Sequence, residues 1–484
     1  AFMAAYNSWN GIPMSIHPCL EEITRKQWGN NGIICTDGGA LKLLIEAHKS
    51  FPSFAEGAAA VVKATTGQFL DAYVPYVKEA LEKGLLTEVD IDKAIRGNIF
   101  VALKLGLLDG DNSRNPYLSI GKNSTETPPF MTAEARRLAR EVTAKSVVLL
   151  KNKKLLPLDA GKLRKIAVIG PYSDKIVQDW YSGTPPYETT ILSGIRNAVK
   201  EGTEIIHAED NRMGQAEKAA AAADVAIVCV GNHPYGTRAD WKFSPVPSDG
   251  REAVDRKSLM LPDEDLVKLV LKANPNTILV LVSSFPYTIN WSQEHVPAIV
   301  HITHCSQEQG NGLADVLFGK VNPAGRTVQT WVKDITDLPD IMDYDIRNGR
   351  TYMYHQGPVL YPFGYGLSYS DFTYEKIESV KQDKKNIRVT VSVKNTSGRD
   401  GEEVVQLYAS YPDSKVERPS KQLRAFRRIP IKAGETRKVT LTVPKEELGY
   451  WNEGKQMFVV EPGTVKLLIG ASSEDIRLEG KIRL

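Results

Sequence analysis

The sequence predicts an α/β protein followed by an all-β domain, and three observations support this fold class. Short apolar runs alternate with amphipathic segments through residues 1–110, and the same alternation returns through residues 132–345. From Phe372 onward, β-branched runs with period-two patterning succeed one another without intervening helices. Strand–helix alternation is typical of layered α/β architectures, whereas successive short strands are typical of β-sandwiches.

Residues 1–110 form the first α/β segment. A strand is predicted over 1–6, and residues 32–36 are a continuous apolar run, as expected of a parallel strand covered on both faces. Helices are predicted over 20–28, 55–63, 74–83 and 88–105, the last with Thr87 as its N-cap. Only about two or three strand–helix units are present, whereas eight close a barrel.

Residues 111–131 are rich in Pro, Asn and Ser, and we interpret them as a linker. In the second α/β segment, 132–345, strands are predicted over 165–170, 225–231, 277–283 and 298–304. Helices are predicted there over 132–146, 216–223, 264–273 and 312–318. This order is typical of an open doubly wound sheet. The glycine patterns of nucleotide-binding loops do not occur, which disfavours a nucleotide site.

Residues 346–371 are interpreted as a second linker, and residues 372–484 as the all-β domain. Strands are predicted there over 387–393, 403–408, 436–443 and 464–468, and polar turns such as residues 395–398 separate them.

Composition and charge exclude several classes of function. The 61 basic residues nearly balance the 58 acidic ones, which gives no basic field for nucleic acid. No apolar run reaches the roughly 18 residues that span a bilayer, so no membrane segment is predicted. The four cysteines show no CxxC spacing and are expected to be free core thiols, with a disulfide between distant pairs as the alternative, and no zinc-type ligand spacing occurs. We predict neither a metal nor a cofactor.

The chain begins inside a predicted strand and lacks a basic leader segment. We therefore expect the sequence to be truncated at its N-terminus, with any export signal in the missing part. The expected location is periplasmic or extracellular if such a signal exists, and cytoplasmic otherwise.

Several motifs follow one another in a characteristic order: YNSWNGIP at 6–13, WGNNGIICTD at 28–37, VVLLKN at 147–152 with LLPL at 155–158, YSGTP at 181–185, ADVLFG at 314–319 with NPAG at 322–325, and YPFGYGLSY at 361–369. Together they resemble glycoside hydrolase family 3, the β-glucosidase and β-xylosidase family. The resemblance covers nearly the whole chain, and its strength lies in the ordered set of motifs.

The resemblance implies the C-terminal portion of a (β/α)8 barrel in 1–110, an α/β sandwich domain in 132–345 and a fibronectin type III-like domain in 372–484. The family's sugar-binding Asp, Arg and Lys-His residues belong to earlier barrel strands that this sequence does not contain. The implied activity is an exo-acting, retaining β-glycosidase that removes terminal β-D-glucosyl residues from oligosaccharides or glucosides. A β-xylosidase or α-arabinofuranosidase is the enzymatic alternative, because GRTY at 349–352 also occurs in that branch. An inactive fragment is the other alternative. A homo-oligomer is compatible with the sequence.

Retaining glycosidases use two carboxyl groups about 5–5.5 Å apart, a nucleophile and an acid/base. Asp37 directly follows the predicted strand 32–36, and its motif implies the nucleophile. From its position alone, an N-cap for the helix expected at 40–47 explains this Asp at least as well. Gly38 stands where many relatives carry Trp.

The acid/base assignment depends on a second motif, SDGREAVDR at 248–256, which resembles the family's EGxDR loop. Alignment on its last two residues selects Glu252, although Ala253 stands where Gly is usual. Asp249 is the rival carboxylate, and an exposed ion pair with Arg251 is the non-catalytic explanation of both. Substrate binding is assigned to Tyr6 and to His233.

Overall fold

The computed structural model of the chain describes residues 1–108, 110, 115, 117, 120, 122, 127–178, 181–232, 256–305 and 307–484. Two compact units account for this part of the chain, Ala1–Thr127 and Pro128–Leu484.

The strands of the first unit are β1 (Phe2–Ala4), β2 (Ser8–Trp9), β3 (Ile12–Pro13) and β4 (Ile34–Thr36). β1 and β4 are parallel, with Phe2 opposite Ile34 and Ala4 opposite Thr36. β2 and β3 form a hairpin whose two-residue turn holds Asn10 and Gly11 at φ of 50° and 80°. Left-handed Asn-Gly turns match the twist of paired strands, which explains this hairpin. The strand predicted over 1–6 is therefore shorter than expected.

The helices described in the first unit are α1 (Ala40–Glu46), α2 (Phe54–Lys63), α3 (Val74–Glu82) and α4 (Glu88–Lys104). α2, α3 and α4 agree with their predicted bounds to within one residue. Thr87 caps α4 as predicted, in a reciprocal capping box with Asp90. Met14–Ile16 is a 3₁₀ turn, and Leu20–Gln27, predicted from helical spacing, is a helix of π type.

Helix α4 approaches the chain before β4 closely because it carries Gly97. A Cβ at this position would lie 2.2 Å from the carbonyl oxygen of Gly32. Arg25 also holds the chain before β4, because its guanidinium donates to the carbonyl of Gly32 and, at 3.1 Å, to that of Thr65. These contacts fix the residues that lead into β4.

Within the described part of the second unit, a six-stranded sheet has the order β5-β10-β9-β8-β6-β7. Its strands are β5 (Val148–Asn152), β6 (Lys165–Ile169), β7 (Glu204–Ala208), β8 (Val225–Gly231), β9 (Thr277–Val282) and β10 (Ala298–Ile302). All neighbouring pairs are parallel except β5 with β10. β5 and β7, which the sequence did not predict as strands, are the two edges.

Helices cover both faces of this sheet, as expected of a doubly wound fold. They are α5 (Ala133–Ser146), α6 (Ile191–Ala198), α7 (Gln215–Ala221), α8 (Glu264–Ala273), α9 (Asn290–His295) and α10 (Gln309–Leu317). The fully buried β8 contributes alternate residues to two cores. Val225, Ile227 and Cys229 pack with α5, α6 and α10, whereas the residues between them pack with α7 and α8.

Residues 346–371, predicted as a linker, carry helix α11 (Thr351–Tyr354) and strand β12 (Val359–Tyr361). β12 pairs antiparallel with β11 (Trp331–Val332). Tyr361 is only 1% exposed and packs in the core beneath α8, so this segment is an integral part of the α/β layer.

Residues 372–484, all of which the structure describes, form a β-sandwich. Its strands are β13 (Phe372–Gln382), β14 (Asn386–Asn395), β15 (Gly401–Ser410), β16 (Gln422–Ile431), β17 (Thr436–Pro444), β18 (Tyr450–Asn452), β19 (Met457–Val459), β20 (Thr464–Gly470) and β21 (Ile476–Arg483). The two facing sheets have the orders β13-β14-β17 and β16-β15-β20-β21. Inward residues of both sheets share one apolar core.

The β-sandwich is joined to the α/β layer through buried polar contacts. Arg326 and Glu403 form an ion pair of 2.9 Å, and their side chains are only 9% and 4% exposed. Gln406 donates from its side-chain amide to the carbonyl of Gly364 at 3.0 Å. Buried polar groups of this kind tolerate little rearrangement, because an unpaired partner is costly.

Candidate active site

Asp37 directly follows β4, whose residues Ile34 and Thr36 are fully buried. Because β1 and β4 are parallel and Ala4 lies opposite Thr36, the carboxyl ends of both strands meet at one edge. The partly exposed carboxylate of Asp37 accepts a hydrogen bond from the Gly38 N–H at 2.7 Å. Ligands of parallel α/β layers bind at this edge, outside the carboxyl ends of the strands.

A third segment, residues 67–71, reaches the same edge. Gln68 forms a parallel bridge with Cys35, and the Thr36 N–H donates to the Gln68 carbonyl at 3.0 Å. The chain then continues to Asp71, which places a second carboxylate near the start of α1.

Asp71, and not Asp37, satisfies the N-terminus of α1. The N–H groups of Gly39 and Leu41 donate to the two carboxylate oxygens of Asp71, the second at 3.4 Å. The residue preceding α1 is Gly39, which has a φ of 79° and contributes no side-chain cap. The helix-cap explanation of Asp37 is therefore wrong, since a residue 34 positions later has that role. No local pattern in the sequence identifies Asp71.

Tyr6 contacts the residue that follows Asp37. Its hydroxyl donates to the carbonyl oxygen of Gly38, and its side chain is 38% exposed. The main-chain carbonyl of Tyr6 is 2.9 Å from Nε2 of His48, and Nδ1 of the same ring is 3.3 Å from Oγ of Ser8. The segment after β1 is thus held to the residues just beyond α1.

Gly38 leaves this edge open. A Cβ at position 38 would meet, within 4 Å, only the Tyr6 hydroxyl at 4.0 Å. Residue 38 therefore leaves the space beside Asp37 unfilled.

In the second unit, the carboxyl ends of β6 and β8 form a topological switch point, because the chain runs from β6 to β7 toward one edge of the sheet and from β8 to β9 toward the other. β8 ends at Gly231, where φ is 155° and a Cβ would lie 1.8 Å from the carbonyl oxygen of Val282. Asn232 follows and is 2% exposed. The Ser284 N–H donates to its side-chain oxygen at 3.1 Å, and Nε2 of His304 is 2.9 Å from its main-chain carbonyl.

The chain returns to the same edge at Arg256. Its guanidinium lies 3.7 Å from the ring centre of Phe285 and donates to the Pro286 carbonyl at 3.1 Å. Both ends of the connection from 233 to 255 are therefore attached at the carboxyl end of β9. His233 and Glu252, together with the rival Asp249, lie outside the residues that the structure describes.

A cleft of about 760 Å³ lies at this edge, within the second unit. Separate parts of the chain form its walls, and the polar residues that line it include Gln178, Thr184, Ser284, His304 and Cys305. Burial raises the pKa of the Cys305 thiol, so this group stays protonated near neutral pH and is a poor nucleophile.

His301, in β10 beneath this edge, has a structural role. Its Nε2 lies 3.0 Å from the carbonyl oxygen of Ser283 and 3.1 Å from the hydroxyl of the same residue. Burial, with a smaller contribution from the nearby His304, lowers the pKa of His301 to about 4, although the hydrogen bond to Ser283 acts in the opposite direction. The ring is therefore neutral near pH 7, and its Nε2–H donates a hydrogen bond to the carbonyl oxygen of Ser283, directly after β9.

Two further features bear on the class of site. Across the described residues, no group of three or more His, Cys, Asp or Glu side chains has an arrangement that could hold a metal ion. None of the described helices combines the length and apolar character needed to cross a membrane.

Comparison with known proteins connects these features to one family. Residues 147–369 match the glycosyl hydrolase family 3 C-terminal domain, and residues 403–473 match the fibronectin type III-like domain. A periplasmic β-glucosidase of Salmonella typhimurium is 30% identical over 536 residues, which cover 99% of this chain and 66% of that protein. A β-xylosidase of Formosa agariphila is 29% identical over 514 residues, covering 98% and 67%. The chain thus spans about two thirds of the length of these relatives.

A solved structure shows the same fold. The β-glucosidase of Listeria innocua in complex with isofagomine is 25% identical, with a TM-score of 0.83, and the match covers 99% of this chain and 68% of that one. A mutant of that enzyme in complex with laminaribiose is 26% identical, with a TM-score of 0.82 and coverage of 99% and 67%. The predicted α/β and fibronectin-like parts of the fold are confirmed by these matches. With both domains in order and relatives along almost its entire length, the chain belongs to glycoside hydrolase family 3.

Proposed function

We propose that the chain provides the nucleophile and the acid/base of a retaining β-glycosidase, with Asp37 and Glu252 in these roles. The observation that carries the proposal is the position of Asp37. The carboxylate of Asp37 stands at the carboxyl end of a buried parallel strand, and the next helix is capped by Asp71 and not by Asp37. We further propose that residues 1–110 are the C-terminal portion of a (β/α)8 barrel, which the parallel pairing of β1 and β4 supports.

In the proposed reaction, a carboxylate oxygen of Asp37 attacks the anomeric carbon while the bond to the leaving oxygen breaks. Glu252 gives its proton to that oxygen, and a covalent glycosyl–Asp37 ester forms. Glu252, now ionised, then takes a proton from a water molecule whose oxygen attacks the same carbon, and the ester bond to Asp37 breaks. The sugar leaves with its original anomeric configuration, and both carboxyl groups return to their starting states.

Tyr6 and His233 are proposed to contact the substrate. Tyr6 is favoured by its exposed ring beside Asp37 and by its hydrogen bond to Gly38. His233 directly follows the anchored Asn232 at the sheet edge, where ligands of doubly wound folds bind.

The proposed substrates are oligosaccharides or glucosides with a terminal, non-reducing β-D-glucosyl residue. The relatives named β-glucosidase and the sugar-like ligands of the Listeria innocua enzyme support this choice. The relative named β-xylosidase supports the alternative, a β-xylosidase or α-arabinofuranosidase. Rates on nitrophenyl β-glucoside, β-xyloside and α-arabinofuranoside decide between them, and faster xyloside cleavage would replace the glucosidase assignment. Absence of activity on all three in the natural polypeptide would favour the inactive alternative.

The central test is to trap the glycosyl–enzyme ester with a 2-deoxy-2-fluoro glucoside and to map the labelled peptide. We expect the label on Asp37 and no label in Asp37→Asn. Asp71→Asn is the matched control, because it removes the neighbouring carboxylate but leaves the proposed nucleophile, and it should still be labelled. Label on any other residue of the wild-type chain would overturn the assignment.

The acid/base is tested by comparing leaving groups. Glu252→Gln should slow hydrolysis of an alkyl glucoside strongly and that of a dinitrophenyl glucoside little, because the second leaving group needs no proton. Asp249→Asn is the control variant. If Asp249→Asn shows this dependence and Glu252→Gln does not, the acid/base is Asp249.

A further inference from the structure

A second cleft, of about 410 Å³, lies where the segment around α11 and β12 meets the β-sandwich. None of the residues proposed for catalysis lines it. Its walls come from three separate parts of the chain: 330 with 352–362, 420–421, and 468–474. The volume is within the range of small-molecule sites.

Three buried polar atoms in the lining residues have no hydrogen-bond partner among the described residues: Oγ1 of Thr330, Nε2 of His355 and Oγ of Ser473. Ser473 is completely buried, and its main-chain N–H donates to the Phe363 carbonyl at 2.9 Å, so its position is fixed. Buried polar atoms without partners are rare in native proteins, and three around one cleft indicate a bound polar group.

The charges of the cleft are balanced. Lys421 donates to the carbonyl of Ser473 and forms an ion pair of 2.9 Å with Glu474. The cation is therefore already paired, which disfavours an anionic ligand. A single carboxylate also gives no set of ligands for a metal ion. Hydroxyl and imidazole groups that donate and accept favour a neutral ligand rich in hydroxyl groups.

The remaining walls and the opening fit such a ligand. Val359, Pro362 and Leu468 present apolar surface, which complements the C–H face of a pyranose ring. Gln356 and Gly357 are exposed and lie at the opening. The ligand can thus enter from solvent and reach the buried polar atoms.

We propose that this cleft is a non-catalytic binding site for a neutral saccharide, whose hydroxyl groups hydrogen-bond to Thr330, His355 and Ser473. The site goes beyond the proposed hydrolysis and does not depend on it. It binds a sugar whether or not Asp37 is the nucleophile.

The test is calorimetric titration of the full chain with cellobiose and with xylobiose, in an Asp37→Asn background that prevents turnover. Thr330→Val is nearly isosteric and removes one of the three polar atoms. We expect it to weaken binding at the cleft at least tenfold and to raise the melting temperature of the unliganded protein. Thr436→Val, at an exposed strand position, is the matched control and should change neither.

Ser473→Ala and a crystal structure after soaking with cellobiose provide independent measurements. Sugar density that contacts the three polar atoms, and weaker binding by Ser473→Ala, support the site. Binding that neither Thr330→Val nor Ser473→Ala changes would assign the sugar to another place. Density for water alone, together with a lower melting temperature for Thr330→Val, would show that the cleft is a hydration site. Sugar density at the three polar atoms does not depend on the role of Asp37, so failure of the trapping experiment leaves that outcome unaffected.

Discussion

Replacement of Asp71 by Ala should destabilise helix α1. The substitution removes the acceptor of the Gly39 and Leu41 N–H groups. Loss of a helix cap costs about 0.5–2 kcal/mol, and loss of a negative charge at a helix N-terminus adds about 0.3–1 kcal/mol. The two effects together amount to about 1–3 kcal/mol. α1 has only seven residues, so it depends on such contacts.

Amide hydrogen exchange measures this loss locally. At roughly 1.4 kcal/mol per tenfold change, we expect exchange in peptides covering Ala40–Glu46 to accelerate on the order of 10- to 100-fold. Peptides covering Glu264–Ala273 in the second unit are the internal reference and should not change. Asp71→Asn keeps a neutral oxygen acceptor and should have an intermediate effect.

Asp37→Asn is the decisive comparison. Its carboxylate accepts a hydrogen bond from the Gly38 N–H and contributes none to α1, so exchange in that helix should stay at the wild-type rate. If Asp37→Asn accelerated exchange as much as Asp71→Ala did, the assignment of capping to Asp71 and chemistry to Asp37 would be refuted.

Three further predictions concern the second unit. Because the folded-state pKa of His301 is about 4, below its ordinary value of 6.5, the unfolded chain binds the proton more readily between these values, and stability falls as the pH drops. In urea unfolding, the free energy of unfolding should fall by about 2.5 kcal/mol between pH 7 and pH 4.5, and this fall should be missing in His301→Gln. Equal falls in both proteins would contradict the assignment of this pH dependence to His301. Gly231→Ala, which brings a Cβ to 1.8 Å from a carbonyl oxygen, should prevent stable folding, whereas Gly202→Ala at φ 88° with open space should cost only about 1–2 kcal/mol in thermal unfolding. Arg326→Met should destabilise the unit by about 3–5 kcal/mol in denaturant unfolding, and adding Glu403→Gln should recover part of this loss; no recovery would argue against a buried ion pair.

The sequence predicted the central elements of the α/β layer well. β8 and α8 have the predicted bounds, because a fully buried strand is a continuous apolar run and a surface helix shows a clear stripe. β5 was not predicted, because one residue, Val147, separates it from α5 and no turn signal precedes it. β7 is a short edge strand that is only partly buried, so its pattern is weak.

Only those residues of the candidate site that a local sequence pattern marks could be predicted from the sequence. Asp37 follows an apolar strand, and its motif marks it. Which of two carboxylates caps α1 depends on a contact between residues 39 and 71, and such pairings are set by how strands align in space. The open space beside Gly38 was likewise invisible, because a glycine in a sequence does not reveal what surrounds it.

The buried ion pair between Arg326 and Glu403 sets a limit on how this protein can be recombined. Exchange of the fibronectin-like part for one that lacks residues equivalent to Glu403 and Gln406 would leave Arg326 without its partner, and Gly364 without the amide of Gln406. A chimera that joins a foreign partner at Pro128 keeps both contacts within the transferred piece. Pro128–Leu484 is therefore the piece to move as one block when hybrid enzymes are built from this family.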